Sequence, residues 1–179
     1  MKEVTFVTGN VHKAEYLAKY LGVPVSHQKI DLDEIQSLSV RDIVEHKVRQ
    51  AYDILQSPVL VEDVSLEYDA LGGLPGPFIR FFLEQMSLEK LCTLVGNDAR
   101  TATARCVMGY YDGTTFRLFE GSMQGTIARI PEGTHGYGWD RIFIPEGYTT
   151  TRASLGESDD RDTYLRIKPF GALKKFLKE

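Results

Sequence analysis

The chain has 179 residues, 42% of them hydrophobic and 26% charged, which is the profile of one ordinary globular domain over 1–179 and excludes disordered, collagenous and coiled-coil chains. No apolar run approaches the roughly 18 to 20 residues that span a bilayer, and the stretch MKEVTFVTGN has neither the basic nor the apolar zone of a secretory signal, so the expected setting is the cytoplasm, away from membranes. A formal net charge of -4 argues against a nucleic-acid partner, which needs a cationic surface, but a small anionic ligand needs only a few local donors.

In chain order, residues 4–7 read as a buried strand, broken by Thr8-Gly9-Asn10 before a helix marked by Ala14, Leu17, Ala18 and Leu21. Gly22 and Pro24 stop that helix, and 25–30 can form a second strand. Apolar residues at 40, 43, 44, 48, 51 and 55 predict a helix over 40–55. Pro58 then opens the strand Val59-Leu60-Val61, which ends at Glu62-Asp63. The glycines and prolines of 72–77 predict a shaped loop, 78–84 a short helix, and Ser87 the cap of another that runs to Gly96. A hairpin is expected over 101–111 and 115–120 around Asp112-Gly113, with a further strand at 123–130 and another at 142–144. Phe170, Leu173, Phe176 and Leu177 mark a C-terminal helix. Cys92 and Cys106 lie in apolar stretches without a CxxC partner and are expected to be reduced and buried.

Three constellations can carry chemistry. Thr8, Gly9, Asn10 and Lys13 sit where a strand hands over to a helix; free backbone donors, a small residue and a lysine one turn later suit a phosphate, although helix capping alone would need the same residues. Glu62 and Asp63 follow an apolar strand, where carboxylates suit Mg²⁺ or the activation of water, or else a salt-bridged loop start; Asp31, Asp33 and Glu34 form a second acidic group, one of which could complete the site. The loop Gly136-Tyr137-Gly138-Trp139-Asp140 offers rings to stack on a base, glycines that admit backbone donors and a carboxylate to accept from an N–H edge; the bland reading is a β-turn with both rings in the core. His12, His27, His46 and His135 read as exposed side chains.

These pieces together resemble the inosine triphosphate pyrophosphatase family, the non-canonical purine nucleoside triphosphate pyrophosphatases that act on ITP, dITP and XTP. The matching segments are VTGNVHK at 7–13, KIDLDEIQ at 29–36, PVLVEDVSLEYDALGGLPGPFIRFFLE at 58–84 and GTHGYGWDRIFIPEGY at 133–148. The resemblance implies an elongated, two-lobed α/β fold with a central mixed sheet flanked by helices, a nucleotide cleft between the lobes, and a homodimer. The implied reaction is Mg²⁺-dependent hydrolysis of a nucleoside triphosphate to monophosphate and pyrophosphate, which cleanses the nucleotide pool. By the same resemblance Thr8, Asn10, Lys13 and Lys47 hold phosphates, Glu34 and Asp63 organise metal, Asp63 activates water with help from Glu62, and Tyr137, Trp139 and Asp140 form the base loop.

The C-terminal part departs from the family. Its members carry a Lys-Asn pair and then Ser-His-Arg, whose His and Arg contact the 6-oxo purine edge, whereas this chain reads LGESDDRDTYLRIKP over 155–169. Arg161 is the expected stand-in for the lysine, and Arg166 or Lys168 the expected donor to a base carbonyl. Two alternatives follow from the altered motif: the same chemistry retuned to another nucleotide, and a nucleotide-binding module without turnover.

Overall fold

The computed structural model describes residues 2–22, 25–97 and 99–179. Its elements are β1 (Thr5–Val7), α1 (Val11–Leu21), β2 (Ser26–Gln28), α2 (Val40–Leu55), β3 (Val59–Tyr68), β4 (Pro75–Gly76), α3 (Ile79–Gln85), α4 (Leu88–Thr93), β5 (Thr101–Tyr111), β6 (Phe116–Ile127), β7 (Phe143–Pro145), α5 (Glu157–Ile167) and α6 (Phe170–Lys178). The strands form a seven-stranded mixed sheet in the order β2-β1-β3-β5-β6-β7, with β4 beside β3. Two compact units divide the chain: Met1–Asp63 with Cys106–Glu120 and Pro169–Glu179, and Val64–Arg105 with Gly121–Lys168.

In the first unit β1 is parallel to both neighbours, pairing Thr5 with Ser26 of β2 and with Val59 of β3. The chain leaves β1 for β2 on one side and returns past β1 to β3 on the other, so right-handed crossovers put α1 and α2 on opposite faces of the sheet. Side-chain alternation agrees. Val7, Val59, Val61 and Val107 form one cluster with Val40, Val44, Val48 and Ala51 of α2, and each large aliphatic side chain buried there contributes about 1.5–3 kcal/mol. On the α1 side, Phe170 of α6 packs 5.3 Å from the Tyr20 ring, and Phe176 packs 4.9 Å from Tyr110. Helix α2 begins at Ser39, whose Oγ accepts from the Asp42 N–H at 3.3 Å. Helix α1 ends at Gly22, whose φ of 75° is the left-handed conformation that glycine adopts without cost.

In the second unit, Arg100 donates to the carbonyls of Cys92, Gly96, Ile127 and Ala128 and so ties the end of α4 to β6. Glu67 accepts from Ser65 at 2.7 Å and from Arg105 at 3.0 Å. Burial pushes the Glu67 carboxyl up, yet these donors hold it below the usual carboxylate range.

Several expectations need correction. The strand expected to stop before Glu62 continues to Tyr68, because Ser65, Leu66 and Tyr68 are fully buried and keep the extended chain on the core. Within the predicted loop 72–77, Pro75 and Gly76 form β4 against Glu67 and Leu66. No separate strand begins at 123, since β6 runs unbroken through Phe116–Ile127. Helix α4 ends at Thr93, earlier than Gly96, and α5 was not foreseen because its mostly polar sequence ESDDRDTYLRI buries only Thr163 and Ile167. His46 is on α2, half-buried, with its Nε2 buried and lacking a hydrogen-bond partner, so the exposed reading fails for it. Pro24 lies outside the described residues. Cys92 and Cys106 are buried and form no disulfide, as expected. Among the described residues no helix is long and apolar enough to cross a membrane.

Candidate active site

The last β1–β3 rung joins Phe6 to Leu60, so Thr8 and the Glu62-Asp63 pair emerge together where the parallel ladder ends. Because β1 has a parallel neighbour on each side, this end is a topological switch point, where open α/β sheets bind ligands. The Asn10 N–H donates to Thr8 Oγ1 at 3.1 Å, and Asn10 Oδ1 accepts from the Lys13 N–H at 3.3 Å. Capping is therefore real here and coexists with a helix N-terminus suited to anions. A Cβ built on Gly9 would meet only the Lys29 stem, at 3.7 Å, so its surroundings do not by themselves demand glycine.

Glu62 and Asp63 diverge, because successive strand side chains point to opposite faces. Asp63 shares the face of Val59 and Val61, toward α2, where Lys47 Nζ donates to Asp63 Oδ2 at 2.9 Å and to Glu34 Oε1 at 2.8 Å. Glu62 turns the other way. Its side chain is 3% exposed, and Oε1 lies 2.9 Å from Lys13 Nζ on α1. Glu34 is held in place by its neighbour: Gln50 of α2 donates to Asp33 Oδ2 at 2.9 Å and accepts from the Asp33 N–H at 2.8 Å. Of the three acids at 31, 33 and 34, Glu34 thus reaches the Lys47 centre, Asp33 is its clamp, and Asp31 is exposed. Burial pushes the Lys47 ammonium down, but Asp63 and Glu34 outweigh this and hold its pKa above the ordinary lysine value.

Glu34 and Asp63 offer oxygen only, the donor type of a hard divalent cation, and they already converge on one cationic atom. They fit Mg²⁺ in that respect. Among the described residues no group of three or more His, Cys, Asp or Glu side chains is placed to hold a metal, so water and phosphate oxygens would complete the shell, as they commonly do for this ion.

In the second unit the loop at 136–140 ends in a 3-10 turn, Gly138–Arg141. The Tyr137 N–H donates to Asp140 Oδ2 at 2.8 Å. A Cβ on Gly136, at φ 85°, would come within 2.7 Å of Asp140 Oδ2, so this closure needs glycine. Tyr137 is 82% exposed, which overturns the core reading for its ring. Trp139 instead packs edge-on, 5.6 Å from Phe143. Gly138 also has a left-handed φ, 61°.

Asp140 is buried and already engaged. Arg152 donates from Nη1 to Asp140 Oδ1 at 2.8 Å, from Nη2 to Asp160 Oδ1 at 2.7 Å, and from Nε to Thr163 Oγ1 at 3.2 Å. Burial pushes the Asp140 carboxyl above the usual range, against the pull of Arg152 and the Tyr137 N–H. Arg161 is exposed and lies 3.6 Å from Asp162, its neighbour on the same helix. Arg166 is exposed in the last turn of α5. Lys168 is buried, with Nζ 5.5 Å from the centre of the Tyr164 ring. Arg152 escaped the sequence reading, because a lone arginine in TTTRAS has no periodicity or motif to mark it as buried.

The Ham1 family model matches residues 4–177. The chain is 44% identical over 177 residues to inosine triphosphate pyrophosphatase 2 of Trypanosoma cruzi (strain CL Brener), covering 96% of this chain and 90% of that protein. It is 37% identical over 182 residues to the inosine triphosphate pyrophosphatase of Yarrowia lipolytica (strain CLIB 122 / E 150), covering 98% and 96%. The solved structure of the Staphylococcus aureus Ham1 protein superposes with a TM-score of 0.84 at 25% identity, covering 99% of this chain and 98% of that one. On this agreement of sequence and fold, the chain belongs to the Ham1 family.

Proposed function

We propose that the chain is a pyrophosphatase that hydrolyses non-canonical purine nucleoside triphosphates to the monophosphate and pyrophosphate. The observation that carries this reading is the convergence of Glu34, Lys47 and Asp63 at the end of the β1–β3 ladder, in a chain similar to proteins named inosine triphosphate pyrophosphatases. Thr8, Asn10 and the free N–H groups of α1 receive phosphate oxygens, and Lys13 adds charge while Glu62 fixes its position. Lys47 neutralises phosphate on the other side of the strand. Asp63 orients the attacking water and takes its proton as the α–β anhydride bond breaks and pyrophosphate leaves. Glu34 and Asp63 would hold Mg²⁺, which when bound supplies charge neutralisation on the phosphate oxygens. Tyr137 gives the base a stacking face.

The proposal includes the family's homodimer, a single catalytic domain and a cytoplasmic setting. A retuned base preference is the second reading, favoured by one observation: α5, ESDDRDTYLRI, carries no histidine to read a purine edge. Turnover and binding measured side by side in Asp63→Asn test the mechanism. Loss of turnover with nucleotide binding retained supports it, and parental turnover contradicts the role given to Asp63.

A further inference from the structure

The buried arginine that no motif marked lies at the centre of a network wholly within the second unit. Its side chain is 5% exposed and bridges two carboxylates, Asp140 of the 136–140 loop and Asp160 of α5. Thr163 accepts its third donor and in turn donates to the Asp160 carbonyl at 2.9 Å. The guanidinium lies 5.6 Å from the centre of the Tyr164 ring. A planar fork can satisfy two carboxylates and a hydroxyl at once, which a lysine ammonium cannot do with the same geometry. Through Asp140 the network reaches the backbone of Tyr137, the most exposed large apolar residue among those described: Asp140 Oδ1 takes Arg152, and Oδ2 takes the Tyr137 N–H.

We propose that Arg152 is the positioning residue for base recognition, fixing the Tyr137 loop to α5 so that the ring and the backbone donors beside it meet the base in one orientation. The proposal rests on the nucleotide reading above and extends it to a residue that touches no substrate. It also adds a determinant of base choice that lies behind the loop. Of the three residues that the sequence suggested, Arg161 and Arg166 are solvent-exposed and Lys168 is buried, and none of them is joined to Asp140 by a side-chain hydrogen bond as Arg152 is. A loop released from this anchor still offers a ring to stack on but loses the fixed orientation that separates one base from another.

The chain's one tryptophan, Trp139, lies in this loop and reports on it directly. Arg152→Met, Arg152→Lys and Asp160→Asn would be compared with the parent in the full-length protein, by KM and kcat for ITP, GTP and ATP and by acrylamide quenching of Trp139 emission. We expect Arg152→Met to raise KM for the preferred nucleotide at least tenfold, with kcat changed less than threefold, to narrow the ITP-to-ATP ratio, and to make Trp139 more quenchable. Arg152→Lys should recover part of each effect by retaining one carboxylate. If Arg152→Met fails to fold, Asp160→Asn removes only the charge on the α5 side and should move KM and quenching in the same direction by a smaller factor. Parental KM, base ratio and quenching in whichever variants fold would overturn the proposal. A parent that turns over no triphosphate would sink the functional reading instead, and quenching would still report whether Arg152 anchors the loop.

Discussion

Glu62 and Asp63 are adjacent in sequence and point to opposite faces of β3, one to Lys13 and the other to Lys47. Two acids that look like a catalytic pair are therefore two separate charge centres. Asp63→Asn should lower kcat by roughly 10²–10⁴-fold, the usual worth of a positioned general base, and leave nucleotide binding in place. Glu62→Gln should instead raise KM, because it frees Lys13 from its buried anchor, with a smaller loss in kcat. Steady-state kinetics on the two variants separate these roles; identical profiles would contradict the division.

Lys47 bridges the two carboxylates proposed to hold metal, so removing its charge sets them against each other. Lys47→Met should cost about 2 kcal/mol, or roughly 4–8 °C in Tm. Added Mg²⁺ should raise the Tm of the variant more than that of the parent. The pH sign follows from a raised pKa. The contribution of Lys47 is fully present below the unfolded lysine value and is lost as pH rises through the higher folded value, so parent and variant should converge in stability only in strongly alkaline solution. Thermal melts from pH 7 upward, with and without Mg²⁺, provide the check.

Tyr137 is exposed and contributes little to the core. Tyr137→Ala should leave Tm within about 1 °C, as for a surface change, and raise KM for every purine triphosphate by roughly 5- to 100-fold through lost stacking. An unchanged KM would remove the ring from the site.

Where α2 crosses the sheet, a Cβ on Gly109 would lie 2.6 Å from Val44 Cγ1. Gly109→Ala should destabilise by about 1–3 kcal/mol through overpacking. Combining it with Val44→Ala, which removes that methyl, should cost less than the sum of the two single changes. Denaturant unfolding of the double-mutant cycle measures the difference.

Periodic segments were legible in the sequence. Helix α2 has the bounds that its apolar spacing predicts, because its buried face, Val40 to Ala51, follows the helical repeat without interruption. Charge misled at β3, where Glu62-Asp63 looked like a strand end. Their ion pairs with Lys13 and Lys47 satisfy the acids inside a strand, and one-dimensional pattern does not encode partners from other helices. Helix α5 is held by Arg152 and two buried side chains, Thr163 and Ile167, rather than by an apolar stripe, so both the helix and its anchor stayed hidden. The capped turn after β1 was readable because Thr8, Gly9 and Asn10 mark it locally, whereas the exposure of Tyr137 was not, since the same residues suit a stacking loop or a turn with its rings in the core.

Turnover of a non-canonical purine nucleotide is decided by pyrophosphate release from ITP, XTP, dITP, GTP and ATP, measured with Mg²⁺ and with chelator. Release from ITP, XTP or dITP should proceed at a kcat/KM at least about 10²-fold above ATP and be abolished by chelator, as expected for a site that must neutralise a polyanion. No release from any of the five triphosphates in the presence of Mg²⁺ would contradict the proposed turnover.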